Sequence, residues 1–85
     1  MSEYNICGVL IHAKQGYAFQ VSQQLEKIPG VEVHSLTDDG RMVVTVESET
    51  RRIIGDTISG FHKVEHVLSA SMVYQYSDTE QEMSA

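Results

Sequence analysis

Ile6-Cys7-Gly8-Val9-Leu10-Ile11-His12, set beside Arg41-Met42-Val43-Val44-Thr45-Val46-Glu47, decides the architecture of this chain. Both stretches have the β-branched, apolar composition of strands. In the first, both alternating sets of positions are apolar or small, so neither side looks made for water. A strand in a small domain ordinarily shows water one polar face. A chain of 85 residues has few helices with which to cover both faces of a sheet. One face is therefore expected to await a partner.

Outward from these two strands the pattern is regular. Strand one spans residues 4–12, and Lys14-Gln15-Gly16 breaks it. A helix is predicted from Tyr17 to Ile28, because Ala18, Val21, Leu25 and Ile28 step by three, four and three. Pro29-Gly30 stops it. Val31-Glu32-Val33-His34 alternates at strand period, and Asp38-Asp39-Gly40 supplies a hairpin turn into Arg41–Glu47. In that third strand Met42, Val44 and Val46 point inward and Arg41, Val43, Thr45 and Glu47 outward. Ser48 is the expected N-cap of a helix from Glu49 to Gly60, with Ile54, Ile58 and Phe61 as its buried stripe and Ile53 beside it. The last strand is predicted from Glu65 to Tyr76, with Leu68, Ala70, Met72 and Tyr74 on one face and Ser69, Ser71, Val73 and Gln75 on the other. Residues 77–85 are polar and acidic and are expected to form a disordered tail after a single domain over residues 1–76.

The order βαββαβ, with right-handed crossovers, puts both helices on one face of the sheet. This is the α+β ferredoxin-like split fold: a four-stranded antiparallel sheet in spatial order 4-1-3-2, with the two most apolar strands at its centre. The opposite face carries no helix. On strand one, Ile6, Gly8, Leu10 and His12 share a side, and Cys7, Val9 and Ile11 share the other. A core rarely accepts glycine or histidine in a central strand, so the first set is assigned to the open side; a slip of one residue would invert that assignment. The open face then comprises Ile6, Gly8, Leu10, His12, Val43, Thr45, Glu47, Ser69, Ser71 and Val73. Its centre is apolar with small residues, and polar groups surround it. An amphipathic helix fits such a surface, with Gly8, Ser69 and Ser71 allowing close approach.

The whole-chain composition excludes several functions. Twelve Asp and Glu against six Lys and Arg leave a formal charge of −6. The chain has no basic stripe with interleaved aromatics, which argues against nucleic acid and against an anionic membrane surface. The apolar run Ile6–Ile11 is shorter than a signal-peptide core or a membrane span, and the first residues carry no basic region, so the chain reads as cytosolic with no membrane insertion. With a single cysteine, Cys7, there is no internal disulfide and no cysteine-based zinc site.

Catalytic and metal-binding constellations are thin. His62 and His66 are four apart but straddle a helix end and a strand start, so they are expected to be loop histidines. His12 and His34 lack sequence-local carboxylate or cysteine partners. The glycines are scattered singly and form no phosphate loop. Asp38-Asp39 belongs to a turn, Arg51-Arg52 to a solvated helix face, and Ser69 and Ser71 have no base placed by any motif. The reading is a non-enzyme that holds no cofactor and no metal. A sheet-to-sheet homodimer, a peptide-binding face and a small-ligand regulatory site all remain compatible with the open face.

Cys7–Ala13, Ile28–Val33, Gly40–Glu47 and Val67–Tyr74, in this order and spacing, together resemble the NapD family over roughly residues 4–76. The resemblance implies a cytoplasmic chaperone that binds the twin-arginine signal peptide of NapA, the catalytic subunit of the periplasmic nitrate reductase. It would thereby delay export until the molybdenum cofactor is inserted and the enzyme is folded. Such a protein carries no cofactor itself and is expected to act as a monomer. A twin-arginine leader joins a basic segment to a moderately apolar one, which can fold as an amphipathic helix on binding. Its apolar side would cover Ile6, Leu10 and Val43, and Glu47 and Glu32 are the candidate partners for its arginines. The alternative is a ferredoxin-like homo-oligomeric or small-ligand regulatory domain.

Overall fold

In the computed structural model, which describes residues 3–79, six elements follow in βαββαβ order. They are β1 (Glu3–Ala13), α1 (Ala18–Glu26), β2 (Val31–Leu36), β3 (Arg41–Ser48), α2 (Arg51–Phe61) and β4 (Val67–Thr79). The sheet order is β2-β3-β1-β4, the expected 4-1-3-2 read from the other edge, and every neighbouring pair is antiparallel. The fold is ferredoxin-like.

The core lies between the sheet and the helices. Cys7, Val9, Ile11 and Ala13 of β1 and Met42, Val44 and Val46 of β3 are buried against Val21 and Leu25 of α1 and Ile54 and Phe61 of α2. The strand phase is therefore the expected one, with Ile6, Gly8, Leu10 and His12 turned to the side without helices. No described helix is long and apolar enough to cross a membrane.

Several boundaries differ from expectation, each for a local reason. Thr50, not Ser48, caps α2: its backbone is extended and its Oγ1 accepts from Ile53 N at 3.3 Å, while Ser48 Oγ accepts from Thr50 N at 3.2 Å. The connection before β2 turns on Gly30, whose φ is +83° and whose carbonyl accepts the Glu47 N–H at 2.8 Å. A β-carbon at Gly30 would run into the Glu47 carbonyl oxygen, so glycine is required there.

β2 extends to Leu36 across a register shift between Val33 and Ser35 that leaves His34 as the extra residue. β4 begins later than expected, at Val67, and runs on to Thr79, three residues into the stretch read as a tail. Ser77 is held there because its hydroxyl donates to Asn5 Oδ1 at 2.7 Å; Asn5 is fully buried and its amide donates in turn to Ser48 O at 3.3 Å. This polar clip joins the ends of three strands, so it satisfies a side chain that would otherwise be costly to bury. The rest of the expected tail, residues 80–85, lies outside the described residues.

Candidate functional site: the open face of the sheet

The strand register lays the open face out in rows. Glu47 (β3), Ile6 (β1) and Tyr76 (β4) form one row, and Glu32 (β2), Thr45, Gly8 and Tyr74 the next. Ser35, Val43, Leu10 and Ser71 follow, then Arg41, His12 and Ser69. Ile6 and Leu10 are half-buried, and Val43 is 37% exposed, which makes an apolar floor. Ser69 and Ser71 are exposed on this face, as expected.

The fourth strand is where the expected face breaks down. Gly8 pairs with Tyr74 but Val9 pairs with Met72, so Val73 is an extra residue, a β-bulge. The alternation restarts there. Val73, expected among the open-face residues, is the bulged position and faces no partner in the ladder. Tyr74, expected on the helix side, is on the open face, as is Tyr76. Gln75, expected on the open face, pairs with the buried Cys7 and so lies on the helix side. A second shift, between His12 and Ala13, leaves Leu68 as another extra residue.

Gly8 also differs from expectation. It is buried, because the ring of Tyr74 lies directly over it. The backbone there is already covered by an aromatic side chain, so the close approach for a helix is not at this point. Thr45 is on the open side but only 7% exposed, since His34 Nε2 and Thr45 Oγ1 are hydrogen-bonded at 2.7 Å and the imidazole covers the hydroxyl.

Three aromatic rings not anticipated as site residues thus stand on this face: Tyr4, Tyr74 and Tyr76, each roughly half exposed. Tyr4 lies two residues before Ile6, so simple alternation would have found it. Tyr74 and Tyr76 required knowledge of the bulge. The available signal was Gly8 itself, because a glycine in a central strand is commonly covered by a cross-strand aromatic.

The electrostatics are uneven. The Tyr4 hydroxyl donates to Glu47 Oε2 at 3.1 Å. Reduced hydration, then this bond to a carboxylate, push the Tyr4 phenol above the ordinary tyrosine value of 10.0. Neither Glu47 nor Glu32 has a cationic partner among the described residues. The one arginine on this face, Arg41, is held by Asp39 at 2.8 Å in the β2–β3 hairpin. Asp39 is in turn held below the usual carboxylate range, by the Thr37 hydroxyl first and Arg41 second. A groove of about 520 Å3 runs beside this hairpin, between Leu10, Val43 and Ser35.

The histidines on the other side take no part. His66, with φ +75°, stacks on Tyr17 at 3.8 Å between ring centroids, which closes the loop into β4. A larger cleft of about 700 Å3 lies between α1 and the loop before β4, lined by Gln20, Gln24, Lys27, Lys63, Glu65 and His66 among others.

An apolar sheet face with an aromatic wall, and two carboxylates without a cationic partner among the described residues, thus stands on a ferredoxin-like scaffold. The comparisons with known proteins specify it further. A family model described as NapD protein matches residues 4–79. The Chaperone NapD of Escherichia coli K12 is 32% identical over 82 residues, covering 95% of this chain and 94% of that one. The solution structure of the E. coli Tat proofreading chaperone protein NapD superimposes with a TM-score of 0.79 at 33% identity, covering 92% of this chain and 82% of that one. A hypothetical protein of Pyrococcus horikoshii, 17% identical, shares the fold with a TM-score of 0.70 over 88% of this chain and 89% of its own. The chain belongs to the NapD family of chaperones.

Proposed function

We propose that this chain binds the twin-arginine signal peptide of the catalytic subunit of a periplasmic nitrate reductase in the cytoplasm, and holds back export until the cofactor is inserted and the enzyme has folded. The observation that carries the reading is the open face itself. An apolar floor of Ile6, Leu10 and Val43 lies beside two carboxylates, Glu47 and Glu32, that have no cationic partner among the described residues. A leader with arginines followed by an apolar stretch complements both halves of that surface. The E. coli relative named a Tat proofreading chaperone supports the same client class.

Covering about 600 Å2 of apolar surface is worth on the order of 15 kcal/mol gross. Ordering the peptide and losing its free motion offset much of this, so net affinity falls between the micromolar and nanomolar ranges. Charge then governs mainly encounter and choice of partner.

A second reading has its own observation. β4 is an edge strand without a charged residue from Val67 to Ser77, and Leu68, Met72, Val73, Tyr74 and Tyr76 on it are exposed. Such an edge favours self-association. Calorimetric titration with the leader of the same organism's nitrate reductase, paired with sedimentation, decides between the two. One peptide bound per chain, weakened when both arginines become glutamine, supports the chaperone reading. No heat together with a stable dimer supports self-association.

A further inference from the structure

The two carboxylates on the open face are chemically unlike. Glu47 is hydrogen-bonded by one tyrosine and shares its row with another: Tyr4 donates to its Oε2 at 3.1 Å, and Tyr76 occupies the same row across Ile6. That hydrogen bond fixes the carboxylate and leaves its second oxygen free for another donor. Glu32 stands on the outer strand β2, with Thr45 and Gly8 between it and Tyr74. The Tyr74 ring covers Gly8 in this row, but no tyrosine hydroxyl donates to Glu32 among the described residues.

A cation answers to these two settings differently. Guanidinium is planar and weakly hydrated, stacks on aromatic faces, and donates in its plane to a carboxylate; an ammonium is a compact, strongly hydrated point charge. Glu47, hydrogen-bonded by Tyr4 and in one row with Tyr76 beyond Ile6, suits the first, whereas Glu32 has no tyrosine hydroxyl bound to it among the described residues. Among the described residues no cation meets Glu47, and Arg41 is engaged by Asp39.

We propose that Tyr4, Glu47 and Tyr76 form a guanidinium receptor that recognises one of the two leader arginines as arginine rather than lysine, while Glu32 responds to charge alone. This rests on the leader-binding reading above and adds to it an asymmetry between the two arginine positions.

The test is calorimetric titration of four leaders, differing only in carrying Arg-Arg, Lys-Arg, Arg-Lys or Lys-Lys, against the wild type, Tyr76→Leu and Tyr4→Phe. In the wild type one single-lysine leader should bind about tenfold more weakly than Arg-Arg and the other within about twofold, the range of a desolvated cation–π contact. In Tyr76→Leu that gap should close, and in Tyr4→Phe it should narrow. Equal binding of both single-lysine leaders to the wild type, or a gap that persists in Tyr76→Leu, overturns the receptor while leaving leader binding intact. If the Arg-Arg leader does not bind at all, the chaperone reading fails instead. The receptor is then judged alone, by titrating acetyl-arginine amide and acetyl-lysine amide while following the Tyr4 and Tyr76 ring signals by NMR. Arginine-selective shifts uphold it, and their absence overturns it.

Discussion

The ring of Tyr74 lies over the backbone of Gly8, so closely that a β-carbon on residue 8 would collide with three of its ring atoms. This one contact links the bulge to the site. Without the extra residue at Val73, the side chain of residue 74 would point to the helices and Gly8 would be exposed on the open face. With it, two tyrosines move to the open side and the weak point of a central strand is covered by an aromatic ring.

Gly8→Ala should therefore destabilise the fold although alanine suits a strand better than glycine. Tyr74 must swing off residue 8, and because its ring is half exposed and can turn into water the cost lies at the low end for overpacking, about 1 kcal/mol. Urea denaturation measures it. Adding Tyr74→Ala to Gly8→Ala should recover part of the loss, because the two changes share one contact. Simple addition of the two single effects would show that the contact does not govern stability.

The fold was legible because β1 and β3 carry their phase in the sequence. Cys7, Val9, Ile11, Met42, Val44 and Val46 alternate without interruption, and the first helix is bounded by Gly16 and Pro29-Gly30. The floor of the site, Ile6, Leu10 and Val43, follows from that alternation. Its wall does not. A bulge is one residue of backbone with no fixed sequence sign, and Val73 looks like any strand valine. The same holds at His34, where the inserted residue brings an imidazole onto Thr45. The clip that keeps Ser77 in β4 depends on a partner seventy-two positions away, Asn5, which no local pattern connects.

The Tyr4 phenol should titrate above 10.0, followed by absorbance or by its ring signals in NMR. The sign follows from linkage. A folded-state value raised above the unfolded one contributes stability that is complete below about 10 and is lost as pH rises through the folded value. Glu47→Gln removes the charge that opposes ionisation, so the Tyr4 value should fall. Desolvation, the first cause of the shift, remains, so the fall should be partial. An unchanged titration in Glu47→Gln would mean that the hydrogen bond does not persist in solution.

Two substitutions away from the open face separate folding from binding. Phe61 is fully buried at the end of α2, and Phe61→Ala should cost about 3–5 kcal/mol. Thr50→Ala removes the cap of the same helix and should cost about 1 kcal/mol. Thermal unfolding ranks them. The Thr50 variant should bind leader as the wild type does, since nothing on the open face changes.

Glu47→Gln should weaken leader binding and flatten its dependence on salt. The lost term is an exposed charge pair, which is screened over about 10 Å at 0.1 M ionic strength. Titrations at low and high salt give the two slopes. Equal slopes for the two proteins would move the arginine contact away from β3.

Leu10→Glu tests the floor directly. Leu10 is half-buried and flanked by Val43 and Ser71, with its side chain on the face away from the core, so a carboxylate there can reach water without opening the fold. Circular dichroism should stay native. The leader's apolar side would meet a charge in place of an anchor, and a central apolar anchor is worth about 2 kcal/mol, or ~30-fold in affinity. The repulsion between the introduced carboxylate and Glu47 or Glu32 changes little, because both are already solvated. Binding reduced by at least that factor, with the fold retained, identifies the floor as the contact surface. Undiminished binding would place the leader on another face, and the cleft between α1 and the loop before β4, lined by Gln20, Gln24 and Lys27 among others, would be the next surface to vary.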